Sequence, residues 1–142
     1  MEKRDIKERI EHKIEEIEEY LDFLVSIVPE ELEEYKKELK TKAACERYAE
    51  KIIEATIDLA FLVINLKKIT QLTSEDKIFV ILAKNKIISD SLASQLGEAK
   101  GMRNFIIHRY GEIDDSKVFH SISEELEKNI NDFLDSIKRC LK

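Results

Sequence analysis

The chain has 142 residues, of which 43% are hydrophobic and 38% charged, with a formal net charge of −6. That length suits a single domain spanning 1–142 with its own core, and the hydrophobic share excludes a disordered chain. The acidic balance excludes a broad nucleic-acid-binding surface, so any contact with RNA needs a local basic patch.

Gly 3 and Pro 1 leave few places for tight turns, while Glu, Lys, Ile and Leu favour long helices. No apolar run reaches the ~18 residues of a membrane span. The charged start, Met1 to Glu8, lacks the apolar region of a signal peptide, so the expected compartment is the cytoplasm. Cys45 and Cys140 lie far apart without metal-ligand spacing. Neither a metal nor a bound cofactor is expected.

Ile6, Ile10, Ile14, Ile17, Leu21, Leu24 and Val28 recur every three or four residues and predict a long amphipathic helix. Pro29 closes it and can open the next helix, a short one carrying Leu32, Tyr35 and Leu39. A second long helix is expected from about Ala43 to Ile69, apolar on several faces and interrupted by Asp58. That carboxylate either sits on an exposed edge or is buried with a partner, and Arg103 is a candidate for that partner. A loop over Gln71–Asp76 offers Thr73 or Ser74 as a helix cap. After it come a short helix to about Ala83, a break at Lys84-Asn85-Lys86, and a helix starting near Ser89. The last helix follows Asp114-Asp115 and carries Val118, Ile122, Leu126, Ile130, Phe133, Ile137 and Leu141. The fold class is all-α, an antiparallel bundle of four to five helices.

Chemistry concentrates between Gly101 and Gly111. Ile88, Leu92, Leu96, Ala99, Arg103, Ile106 and Tyr110 follow one helical stripe, which puts a permanently charged guanidinium in phase with core residues. Such a charge must be paired or line a pocket. Asn104 and His108 are four apart and share a face, whereas Arg103 and His108 are five apart, roughly 140° around a regular helix. Either the helix ends or distorts before Gly111, or the site forms between two identical chains. An imidazole that exchanges protons near neutrality and a guanidinium that grips phosphate suit attack by a ribose 2′-hydroxyl on the adjoining phosphate. On this reading His108 is the acid–base group, Arg103 holds the phosphate and Asn104 orients His108 or the substrate. A non-catalytic ligand pocket and a purely structural dimer contact use the same residues.

The segment Arg103-Asn104-Phe105-Ile106-Ile107-His108-Arg109-Tyr110 resembles the signature of the HEPN superfamily and, within it, of the HepT toxin–antitoxin ribonucleases. That signature is an arginine, a polar residue, three mostly apolar residues, a histidine, any residue and a tyrosine. The likeness extends to Glu46-Arg47-Tyr48-Ala49, Ile57-Asp58-Leu59-Ala60 and Gly111-Glu112-Ile113-Asp114-Asp115. It implies a helical homodimer that cleaves RNA without metal, with catalytic Arg103 and His108 in a cleft between protomers. It also implies a nucleotidyltransferase antitoxin of the MntA type, which uses ATP to adenylylate Tyr110. Arg109 departs from the pattern, since many relatives carry an acidic residue there.

Overall fold

A computed structural model of the chain describes residues 2–70, 74–108 and 114–142. Its helices are α1 (Lys3–Ile27), α2 (Leu32–Lys37), α3 (Leu39–Leu66), α4 (Ile78–Lys84), α5 (Asp90–His108), α6 (Asp115–His120) and α7 (Leu126–Cys140). A 3-10 turn at Glu75–Lys77 leads into α4, and a π-helical stretch at Ser121–Glu125 joins α6 to α7. The four long helices form the expected all-α bundle. Cross-helix contacts give the directions: Lys13 of α1 meets Asp58 of α3 while Tyr20 and Phe23 meet Tyr48, so these two helices run antiparallel.

The apolar stripe of α1 packs as read, with Ile6, Ile10, Ile14, Ile17, Leu21 and Leu24 buried. The second long helix begins earlier than the spacing suggested, because only Glu38 separates it from α2. Leu39 therefore lies in the first turn of α3, 70% exposed, instead of lining the short helix. Ser74 precedes the 3-10 turn without a side-chain capping bond, and Thr73 lies outside the described residues. Caps appear elsewhere. Ser89 accepts the Leu92 N–H, and Asp114 accepts those of Ser116 and Lys117, at 3.0–3.2 Å.

Helices α3 and α4 end alike. Lys68 and Lys86 take left-handed φ values of 54° and 60°. The Ile69 and Ile87 N–H groups then reach back to Ile64 and Leu82. Both are Schellman closures with a lysine where glycine is favoured. The last helix has an irregularity that periodicity did not announce. Val118, Ile122, Leu126 and Ile130 recur every four residues, which drifts around a helix of about 3.6 residues per turn. The wide π turn absorbs that drift, and all four stay buried. Within it the Ser123 hydroxyl donates to the Phe119 carbonyl at 2.6 Å, competing with the regular ladder.

A cluster of buried polar side chains sits at α2. Tyr35 and Cys45 are fully buried, Glu46 nearly so, and Lys42 reaches the Asp115 carboxylate at 2.9 Å. Burial, then the Glu46 carboxylate, pushes the Cys45 thiol up to about 11. Burial followed by Glu46 also holds the Tyr35 phenol well above its ordinary range.

Two outcomes follow. Replacing Lys68 or Lys86 by glycine relieves the left-handed strain and raises stability by about 1 kcal/mol each, read from urea denaturation midpoints. The fold holds the Cys45 proton more tightly than the unfolded chain does, so this contribution is complete at neutral pH. It is lost as pH climbs past the ordinary thiol value toward about 11. Melting temperature measured from pH 7 upward falls less steeply in Cys45→Ala than in the native chain.

Candidate functional site

The core-facing stripe of α5 consists of Leu92, Leu96, Ala99, Lys100, Arg103 and Ile106, all buried. Arg103 thus occupies the core phase, with 7% of its surface exposed. A guanidinium there needs its donors satisfied, and three are. Nη2 donates to Glu75 Oε2 at 2.9 Å, Nη1 to Oε1 at 3.4 Å, and Nε to Asn104 Oδ1 at 3.1 Å. This is the two-pronged fork that an arginine offers a carboxylate. One turn earlier, Lys100 donates to the Glu75 carbonyl at 3.1 Å and to Asp76 Oδ1 at 3.4 Å. Two buried cations of α5 therefore clamp the 3-10 turn that opens α4. The local positive charge of Lys100 is matched by Asp76.

Asp58 is not the partner of Arg103. Its side chain is 64% exposed and lies 3.9 Å from Lys13 Nζ, on the solvent edge between α1 and α3. The exposed-edge alternative holds because the apolar faces of α3 leave one polar rim, and Asp58 lies on it. Glu75 could not be picked from the sequence. It fell in the loop read over Gln71–Asp76, and no periodicity links it to Arg103, 28 positions away.

Helix α5 is described through His108, and the stretch from there to Gly111, where an end or distortion was expected, lies outside the described residues. Arg103 faces the core while His108, on the last turn, is exposed. Asn104 is half-buried and joins the two faces through its bond to Arg103. Phe105 and Ile107, 53% and 40% exposed, flank the histidine's outward face. Tyr110 and Arg109 lie outside the described residues. Among the described residues, no group of three or more His, Cys, Asp or Glu is arranged to hold a metal ion. No helix among them is long and apolar enough to cross a membrane.

The asymmetry of the ion pair generates a prediction. Arg103 is buried while the Glu75 side chain is 45% exposed, so removing the acid strands a desolvated cation. Glu75→Ala costs about 1 kcal/mol in chemical denaturation, discounted for that exposure. Arg103→Met costs less, since its apolar chain fills the same space.

Comparison with known proteins gives this geometry a context. Residues 10–137 match the family described as Ribonuclease HepT-like. The tRNA nuclease HepT of Aphanizomenon flos-aquae is 30% identical over 119 residues, 84% of this chain and 81% of that protein. The mRNA nuclease HepT of Shewanella oneidensis is 32% identical over 85 residues, 60% of this chain and 63% of that protein. Among solved structures, the triply AMPylated HEPN toxin of Shewanella oneidensis, in complex with its MNT antitoxin, superposes with a TM-score of 0.85. It is 25% identical, and the match covers 98% of this chain and 99% of that one. The chain therefore belongs to the HepT-like ribonuclease family.

Proposed function

We propose that this protein is an RNA-cleaving toxin whose phosphate-gripping and proton-transferring groups are Arg103 and His108, without a metal ion. The observation that carries the reading is a buried guanidinium, oriented by Glu75 and Asn104, on the same helix as an exposed histidine. Relatives named as tRNA and mRNA nucleases support it. His108 takes the proton of a ribose 2′-hydroxyl as that oxygen bonds to the neighbouring phosphorus. The 5′-oxygen leaves with a proton returned by the imidazolium, so the products are a cyclic phosphate and a free 5′-hydroxyl. The N–H groups of Arg103 not engaged by Glu75 and Asn104 stabilise the charge building on the phosphoryl oxygens.

On one chain the two groups face different ways, which favours a cleft built from two copies of α5 across a symmetric contact. Ile107 supplies exposed apolar surface for that contact. The same reading covers regulation. A nucleotidyltransferase partner transfers AMP from ATP to the hydroxyl of Tyr110, and the added phosphate blocks and repels RNA beside Arg103. The AMPylated relative bound to its antitoxin supports this step. The setting is the cytoplasm, where both cysteines stay reduced.

A second reading has its own observation. The Arg103–Glu75 fork is what a non-catalytic module, binding a nucleotide or partner, would also need to hold α5 in place. Incubating purified protein with RNA in excess chelator separates the two. The ribonuclease reading expects cleavage that falls at least ~100-fold in His108→Ala. Equal cleavage by that variant removes His108 from the mechanism, and nucleotide binding without RNA turnover favours the second reading.

A further inference from the structure

A groove of about 480 Å³ opens between α5 and the α6–π–α7 segment, within the size range of small-molecule sites. Met102, Phe105, Val118 and Leu126 form its apolar walls. Phe105 lies three residues before His108, so the groove's edge is one helical turn from the imidazole. Asn129 also lines it, although 93% of the residue is shielded from solvent (7% exposed). Among the described residues its amide makes no hydrogen bond. Asn129 lies in the first turn of α7, and its amide is not among the buried polar atoms that lack a partner, so it keeps contact with solvent. The π turn runs along the same groove, contributing Ser121 and Glu125, and such turns cluster at functional sites.

Charge narrows the ligand. Among the described residues, Glu98, Glu125 and Asp114, the last engaged in capping α6, face the one ammonium of Lys117 around the groove. A phosphate would be repelled there, whereas a neutral ring fits between the apolar walls. The paired donor and acceptor of an asparagine amide match the edge of adenine, and carboxylates accept from exocyclic amines such as that of cytosine. We infer that this groove is a nucleobase subsite selecting an amino-bearing base, with Asn129 as its specificity-determining residue. The inference deepens the ribonuclease reading, which supplies the reason for a base one turn from His108. The shared chemistry has two sources, a base of the RNA strand or the adenine of a nucleotide.

The test reads the side-chain amide signals of isotope-labelled protein by NMR, with Asn129 assigned through its loss in Asn129→Leu. AMP and CMP are expected to shift the Asn129 amide while UMP does not, with binding at least fivefold weaker in Asn129→Leu. Asn129→Asp, nearly the same shape, serves if the leucine variant does not fold. A 2′-O-methyl oligoadenylate that cannot be cleaved, binding more tightly than AMP, identifies the RNA strand as the source. AMP bound without the oligomer identifies the nucleotide. No shift with any of these ligands, or an equal shift with UMP, overturns the subsite. So does a shift that follows protein concentration alone, since a second copy then fills the groove. Because binding is read without cleavage, an inactive protein that still binds AMP through Asn129 sinks the ribonuclease reading and leaves the subsite standing.

Discussion

An arginine placed in the core phase of a helix creates a demand that its surroundings must meet. Taking a guanidinium out of water is expensive, and Arg103 is tolerated because a carboxylate and an amide satisfy its fork at 2.9–3.4 Å. The arrangement constrains more than one side chain. It ties α5 to the turn that opens α4, with Lys100 adding a second tether one turn away. A guanidinium held from two directions has little rotational freedom left. It therefore presents its remaining N–H groups in a fixed direction, which electrostatic stabilisation of a phosphoryl group requires.

The pair is unequal in its exposure to water. Glu75 keeps water on one side while Arg103 does not. Much of the attraction is thus felt by the arginine as an orienting force, while the net stability gained remains small. Lysine would carry the same charge at this position without the planar fork that engages Glu75 and Asn104 together.

On the opposite flank of the same helix, regularity gives way. The four-residue spacing from Val118 to Ile130 cannot stay on one face of an unbroken α-helix, and the chain answers with a π turn. That widened turn borders the groove holding Asn129. Packing and groove are thus coupled: the irregularity that keeps the apolar residues inside also lines the apolar-walled groove beside α5.

The helical fold and the buried phase of Arg103 were legible in the sequence. Periods near 3.6 in α1, α3 and α7, together with scarce glycine and proline, leave few other ways to bury so many isoleucines and leucines. The in-phase position of Arg103 announced a buried charge in need of a partner, since a charge in an apolar stripe violates a local rule. Partner identity was not legible. Asp58 and Glu75 are equally acidic on paper, and only the docking of the turn before α4 against α5 decides which reaches the guanidinium. Likewise Asn129 is one polar letter next to Ile130. Its burial without a hydrogen-bonding partner among the described residues emerges only when α7 closes against α5. Periodicity along one helix determines which way a side chain faces, but what it faces is set by contacts between segments far apart in the chain, and those exist only in the folded molecule.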